Sequence, residues 1–439
     1  MSELLLRGGR VIDETDERLA DVRVRDGLIV EIGVGLESSA GLKASTGLKT
    51  STELDCGGCI VAPGLVDLHV HLREPGDEEA ETIETGARAA ALGGFTAVVA
   101  MPNTTPPLDD ATVVSAVLAR GVDAACEIVS SGCITKGRAG KELAPIGELY
   151  ALGVRIFTDD GACVADPAVM RRAMAYASAL PGAVVAQHAE DPSLAEGGHM
   201  HEGSWSSRLG IGGRPSEAET VIVARDLALL ERTRTPLHFL HLSCAESVAL
   251  VRDAKRRGLP VTAEVAPHHF TLTDASCAEY DPLFKVHPPL RTSADIEAIK
   301  AGLADGTIDA IATDHAPHTP EAKERPFDQA PPGMLGLETA LALTLTELVL
   351  PGVLSIAEAL AVLSWRPAAI AGLTERHGGR LVAGRVANLC VIDPAVEWEV
   401  DPSLLASRSR NSPFVGRKLT GRVRHTIQRG TAVVEDGHL

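Results

Sequence analysis

Between Cys59 and Pro317 the sequence repeats a single rhythm, a short apolar run followed by a longer amphipathic one, and that repetition restricts the fold more than composition does. The apolar runs are CIVAPGLVDL, FTAVVAM, ACEIVSSG, GVRIFTD, AVVAQHAE, PLHFLHLS, PVTAEVAP and IDAIATDHAP. They read as buried strands. Between them stand helical stretches such as EEAETIETGARAAALG, DPAVMRRAMAYASAL, EAETVIVARDLALLERT and CAESVALVRDAKRRG. Eight such β-then-α units in succession, with no reversal signal, predict an α/β chain with a closed (β/α)8 barrel of the TIM type rather than an open doubly wound sheet.

The two ends of the chain follow a different pattern. LLLRGGRVIDE and ADVRVRDGLIVEIG alternate apolar and polar residues around an Arg-Asp-Gly turn at 25–27, which signals a hairpin, and a Gly-, Ser- and Thr-rich stretch then runs from Glu37 to Thr52. GRVANLCVIDP, VEWEV and GRVRHTIQRGTAVVEDG repeat the style near the C-terminus. Neither end buries a sheet by itself, so residues 1–60 and 375–439 are expected to pack into one small β domain beside a barrel of residues 61–374.

A barrel of this kind carries its chemistry at the C-terminal ends of its strands. The stretch DLHVHLREPG, residues 67–76, places His69 and His71 on one side of a strand, where two neighbouring imidazoles must be neutral or bound to a cation. Asn103, Asp159, Asp160, His188, His241, His268 and Asp314 also fall at or just after the ends of different apolar runs. Each alone is ordinary, since strand ends are where polar residues begin. Several histidines and aspartates delivered to one rim supply the nitrogen and oxygen ligands for two divalent ions of the zinc type, and the natural reaction is hydrolysis of an amide-like bond.

Charge and cysteine content narrow the options further. With 41 Lys and Arg against 59 Asp and Glu, the formal charge of -18 disfavours a nucleic-acid partner, which wants clustered cations. There is no run of 18 apolar residues, and MSELLLRGGRVIDE lacks a basic region followed by a long apolar core, so a cytoplasmic protein with no membrane partner is expected. Eight irregularly spaced cysteines do not make a disulfide scaffold. The CxxC at Cys56 and Cys59 has no second CxxC to complete a four-sulfur site, and reads as structural.

Taken in order, GLVDLHVHLREPG, GGFTAVVAMPNTTPP, FTDDG, AQHAED, HFLHLS, EVAPHHF, HPPLR, TDHAPH and GLET resemble the dihydroorotases of the amidohydrolase superfamily, in their long bacterial (class I) form. The likeness runs from Pro63 to Asn388, and HLREPG together with MPNT is its most specific part. It implies reversible zinc-dependent hydrolysis of (S)-dihydroorotate to N-carbamoyl-L-aspartate, in de novo pyrimidine (UMP) biosynthesis. It also implies two zinc ions per chain, on His69, His71, Asp160, His188, His241 and Asp314. Many relatives bridge their ions with a carboxylated lysine. FTDDG offers two aspartates and no lysine, so Asp160 is the expected bridge and Asp159 its support. Asp314 is expected to be the catalytic acid and base as well as a ligand.

By the same resemblance the substrate meets His71, Arg73, Asn103, His287, His318 and the backbone at Pro332 and Gly333, with Arg73, Asn103 and His318 on its carboxylate. The residues alone leave other roles open: an ion pair of Arg73 with Glu74 or Asp77, and a turn role for Asn103. The loop from His318 to Gly333, rich in proline and charge, is expected to lie outside the core and cover the pocket. Two positions depart from the family pattern: Pro332 replaces an aromatic residue, and His287 an asparagine. His268 and His269 are expected to support the site, whereas His199 and His201, with no strand to aim them, are expected to face solvent.

Two other functions compete. A hydantoinase or allantoinase is disfavoured by Arg73, Asn103 and the missing lysine. A dihydroorotase-like scaffold for aspartate transcarbamoylase should have lost some ligands, and none is missing here. A homo-oligomer is the expected assembly, and aspartate transcarbamoylase a candidate partner even for an active chain.

Overall fold

The computed structural model describes residues 2–37 and 50–439; most of the Gly-, Ser- and Thr-rich stretch after Glu37 lies outside the described residues. The eight expected runs form the strands Leu65–Val70, Phe95–Ala100, Glu127–Ser130, Ile156–Phe157, Val184–Gln187, Leu237–Phe239, Val261–Val265 and Ala310–Ile311. Neighbours pair in parallel, as at Ala97↔Glu127 and Val185↔Leu237. Parallel bridges at Gly132↔Phe157 and Val70↔His315 join the remaining edges, so the ring closes. Val66, Leu68, Ala97, Val99, Ile156, Ala186 and Ala310 from strands around the ring share one buried cluster. Closure leaves no open edge and brings the C-terminal strand ends together on one rim.

The helices between strands start where local chemistry allows. Pro167–Ala177 follows Asp166, whose carboxylate accepts from the N–H groups of Ala168 (2.7 Å) and Val169 (3.2 Å), with proline preset in the first turn. Glu217–Thr233 forms over the full expected length. The helix expected from EEAETI onwards begins only at Ile83, after a Thr82–Thr85 capping box. Glu81, just upstream, is fully buried and accepts from Arg408 N (3.0 Å), the Ser407 hydroxyl and the Thr85 hydroxyl, contacts that engage its side chain between the C-terminal segment and the helix start.

Beside the barrel lies one sheet built from both chain ends. Ser2–Ile12, Glu17–Arg25, Leu28–Gly33, Thr50–Asp55 and Ile60–Pro63 adjoin Leu389–Glu399, Lys418–Gln428 and Thr431–Val434. The seam is the antiparallel pairing of Ile60–Pro63 with Leu389–Ile392. At the Arg-Asp-Gly turn Arg25 pairs with Leu28, and Asp26 and Gly27 take φ of 48° and 85°, both positive as a two-residue hairpin turn requires. Leu6, Val11, Val22, Ile29, Val61, Leu389 and Ile427 form a separate core for this sheet. Cys56 and Cys59 sit in it as free thiols, and burial pushes Cys56 up to about 12, leaving an inert core residue.

Two segments behave differently from expectation. The chain between Val400 and Lys418 leaves the sheet and crosses to the barrel rim. There Asn411 donates from Nδ2 to Ala316 O (2.9 Å) and Gly333 O (3.2 Å) and accepts at Oδ1 from His318 N (3.1 Å). The loop from His318 to Gly333 is also partly core, a correction to the expectation above. Phe327 and Ala330 are buried, and buried Lys323 donates to Pro331 O and Gly333 O, both at 3.0 Å. Prolines and charges in its sequence masked these anchors.

Candidate metal centre

His69 and His71 end the first barrel strand, and Asp160, His188, His241 and Asp314 follow the fourth, fifth, sixth and eighth. Two buried triads result, His69/His71/Asp160 and Asp160/His188/His241, each with its ligating atoms within 4.8 Å of one another. Asp160 is common to both. Its Oδ2 lies 3.3 Å from His69 Nε2 and 3.5 Å from His71 Nε2, while its Oδ1 lies 3.5 Å from His188 Nδ1 and 3.6 Å from His241 Nε2. Asp314 Oδ1 stands 3.2 Å from His71 Nε2 and 3.5 Å from His69 Nε2, on the edge of the first triad.

The donor set fits a pair of zinc ions. His69 Nε2 and Asp160 Oδ1 are buried without a hydrogen-bond partner among the described residues, an arrangement that is costly unless a cation satisfies them. Nitrogen and carboxylate donors from separate strands, shared through one bridging aspartate, make a binuclear zinc centre. The electrostatics agree. Burial alone would lower the His69 ring, yet Asp160 and Asp314 hold it well above its ordinary range; His188, opposed by the same burial, is held at about 9 by Asp160 and Glu190. The pocket therefore favours positive charge at these two rings, whereas burial lowers His71 despite its contact with Asp314.

Asp159 does not share this position. Its carboxylate accepts from the N–H groups of Ile134 (2.8 Å) and Thr135 (2.9 Å) and from the Thr135 hydroxyl, so it anchors the loop after the third strand. Asn103 accepts at Oδ1 from His71 Nδ1 (2.8 Å), which leaves Nε2 of that ring facing the triad. Neither the substrate role nor the turn role expected for Asn103 anticipates this bond.

A cavity of about 310 Å³ opens over the triads and is lined by His71, Arg73, Asn103, His287, Asp314, His318, Pro332 and Gly333. Every expected substrate residue thus faces one space. Larger hollows lie elsewhere on the surface, away from the ligands. Arg73 donates from Nε to Pro317 O (3.0 Å), and Glu74 pairs instead with Arg120 (2.9 Å), so the ion pair of Arg73 with its neighbour does not form. His318 donates from Nε2 to Pro332 O (2.8 Å); burial and then Arg73 hold it at about 3, so it is neutral. A Cβ at Gly333, whose φ is 139°, would come within 2.9 Å of that ring nitrogen. Burial and then Arg214 likewise bring His287 to about 3, and its Nε2 has no partner among the described residues.

Some participants escape sequence reasoning. Arg138 and Arg214 also line the cavity; Arg138 donates to Asp160 O (2.6 Å), and Arg214 pairs with Glu190. Glu264 receives His69 Nδ1 at 2.8 Å, and the signal for it is an acid inside the apolar run PVTAEVAP. His268 is buried with Nε2 4.0 Å from Asp314 Oδ2, and His269 donates to Pro288 O (3.0 Å). His201 corrects the expectation of a solvent role: it is buried in a short strand with Met200, and its Nδ1 accepts from Arg291 at 3.1 Å.

Comparison with known proteins gives the same direction. Residues 58–247 match the family model described as dihydro-orotase-like. The chain is 48% identical over 436 residues to the dihydroorotase of Pelotomaculum thermopropionicum, covering 99% of each chain. It is 47% identical to that of Streptomyces coelicolor, covering all of both. Among solved structures, the L-hydantoinase of Arthrobacter aurescens superimposes with a TM-score of 0.87 at 26% identity, over 100% of this chain and 97% of that one. The dihydropyrimidinase of Brevibacillus agri, at 23% identity and a TM-score of 0.85, covers 100% of this chain and 96% of its own and shares the fold. With near-full-length identity close to one half, a closed barrel and a binuclear His/Asp centre, the chain belongs to the dihydroorotase family of the amidohydrolase superfamily, in its long bacterial form.

Proposed function

We propose that this chain interconverts (S)-dihydroorotate and N-carbamoyl-L-aspartate, as an enzyme of pyrimidine biosynthesis. The observation that carries the reading is Arg73, which lines the cavity over the triads and has no ion pair within 4.0 Å among the described residues. A ring bearing a carboxylate satisfies that guanidinium, whereas an uncharged hydantoin leaves it unpaired. The unpartnered Nε2 of His287 offers a further polar contact to a ring carbonyl, and His318 donates to the carboxylate once its Nε2–H is released from Pro332 O.

When bound, the zinc pair supplies Lewis acidity and a hydrolytic nucleophile at neutral pH. His69, His71, Asp160, His188, His241 and Asp314 would hold it. Asp314 directs Oδ1 at the first triad, which leaves Oδ2 to carry the proton. In hydrolysis its carboxylate accepts the proton released as the ring carbonyl is attacked and then gives it to the departing ring nitrogen; ring closure uses the same group in reverse. Asn103 and Asp160 fix their partners' orientation, so the reacting carbonyl meets a prearranged site.

Comparing kcat/KM for dihydroorotate, hydantoin and allantoin tests the reading directly. Dihydroorotate should be preferred by orders of magnitude, and faster turnover of either uncharged ring would refute it. The proposal extends to a cytoplasmic homo-oligomer with aspartate transcarbamoylase as a candidate partner, checked by light scattering and co-purification. Among the described residues no helix is long and apolar enough to cross a membrane.

A further inference from the structure

The ligand histidines are not backed equally. His71 donates from Nδ1 to the neutral Asn103 amide, and His188 Nε2 stands 3.7 Å from a Glu190 carboxylate already paired with Arg214. Among the described residues, His69 alone of the four has a carboxylate within hydrogen-bond distance of the ring nitrogen turned away from the triads, with Nδ1 at 2.8 Å from Glu264 Oε1. The second oxygen of that carboxylate, Oε2, lies 3.0 Å from His238 Nε2, and His238 Nδ1 lies 2.8 Å from Thr262 Oγ1. Glu264 is fully buried, and His69 and His238 are at most 1% exposed.

The proton positions along this chain follow from donor and acceptor counting. A carboxylate only accepts, so both rings must present N–H to Glu264. With His238 Nε2–H given to Glu264, its Nδ1 is left to pair with the Thr262 hydroxyl. His69, protonated at Nδ1, keeps its Nε2 lone pair toward Asp160 and Asp314. Because the buried Glu264 carboxylate can only accept, it sets the tautomer of His69 on one side and holds the N–H of His238 on the other, with the Thr262 hydroxyl completing the chain.

We infer that Glu264, held in place by His238, is a positioning residue that fixes His69 in its ligating tautomer, raises its donor strength and makes the His69/His71/Asp160 position the tighter of the two zinc positions. This rests on the binuclear reading of the site. It is independent of which cyclic amide is hydrolysed.

The test is zinc binding to metal-free protein by competition with a chromophoric chelator, with the melting temperature of the same metal-free samples as a fold control. Wild-type protein should bind two zinc ions with unequal affinity. Glu264→Gln, nearly isosteric and able to accept from His69, should weaken the tighter ion by about 10- to 100-fold, the usual effect of removing such a partner, and leave the weaker ion within about threefold. Equal wild-type affinities, or an unchanged tighter ion in Glu264→Gln, would overturn the inference while leaving the centre itself intact. Should Glu264→Gln fail to fold, Thr262→Val provides the check. Losing the hydroxyl that partners His238 Nδ1 and so helps hold Glu264 should weaken the same ion by a few fold with little change in melting, and no change would count against the proposal. Wild-type protein that bound no zinc would instead refute the metal centre.

Discussion

Replacing Arg73 by methionine keeps the unbranched apolar stem of the side chain and removes the guanidinium, so it isolates what that group does for the substrate carboxylate. Losing one partner of a desolvated, hydrogen-bonded charge pair costs about 2–5 kcal/mol. Arg73 is only half-buried, and Arg138 and Arg214 line the same cavity, which places the expected loss in the lower part of that range. About 2–3 kcal/mol of transition-state binding corresponds to roughly 30- to 160-fold in kcat/KM for dihydroorotate. Fold and metal content should be little changed, because among the described residues the guanidinium of Arg73 touches only Pro317 O, at 3.0 Å, and the His318 ring, at 3.4 Å, neither of them a metal ligand. The control is dihydrouracil, the same ring without the carboxylate. Arg73→Met should lower its slower turnover by less than threefold. An equal loss on both substrates, or loss of zinc from the variant, would show that Arg73 supports the site's structure and would refute the carboxylate argument.

Two further outcomes follow from the ionisable groups. Burial opposes ionisation of Asp314, but the His69, His71 and His241 rings hold its carboxylate well below the ordinary range, so at assay pH it is already the base that hydrolysis needs; ring closure, which starts from the protonated acid, should fall as pH rises, and Asp314→Asn with both ions retained should lose at least 100-fold in each direction by steady-state assay. Glu127 ties the barrel to the C-terminal region through His377 (2.9 Å), Arg376 (2.7 Å) and Arg429 (3.3 Å), and although burial would raise it, these partners hold it at about 2, against 4.5 for an ordinary glutamate. Its stabilisation, about 2–3 kcal/mol, is complete above pH 4.5 and disappears as pH falls through about 2. Glu127→Gln should therefore unfold at lower denaturant than wild type at pH 7, with the gap closing at pH 3 and below.

The barrel and its rim were legible because both follow from local periodicity. Apolar runs at regular intervals identify strands, and a polar residue at the end of each run is brought to one rim by closure alone, whatever the helices do. His69, His188, His241 and Asp314 could be placed that way. Asp160 could be chosen over Asp159 only with help from the glycine turn that follows. What escaped are contacts between residues far apart in sequence with no periodic signature. The Asn411 bonds to Ala316, Gly333 and His318 come from a segment that reads as a loop of the small domain. The buried anchors of the 318–333 loop were hidden by its polar composition, and His201 by the shortness of its strand.

Local propensity also fails at the site for a physical reason. Arg73, Arg138, His241 and Asp314 all adopt positive φ, at 61°, 55°, 27° and 48°, although none is glycine. Such a backbone costs about 1–3 kcal/mol per residue and persists only where the surroundings enforce it. Each of the four lines the cavity. Each also leaves a strand end or enters a turn where the chain must change direction while its side chain still points inward. A regular extended continuation would send alternate residues to opposite faces and carry the ligand away from the triads. The enforcing contacts are visible: Arg138 is held by Asp159 O and Asp160 O, and Thr313, just before Asp314, donates from N to the fully buried Asp67. Asp67 Oδ1 takes the N–H of His69 as well, at 3.0 Å, so one buried carboxylate fixes the backbone beside a ligand on the first strand and a ligand after the eighth. The strain at the rim is thus sustained by the same closure that builds the barrel, since only a closed ring makes the first and eighth strands neighbours.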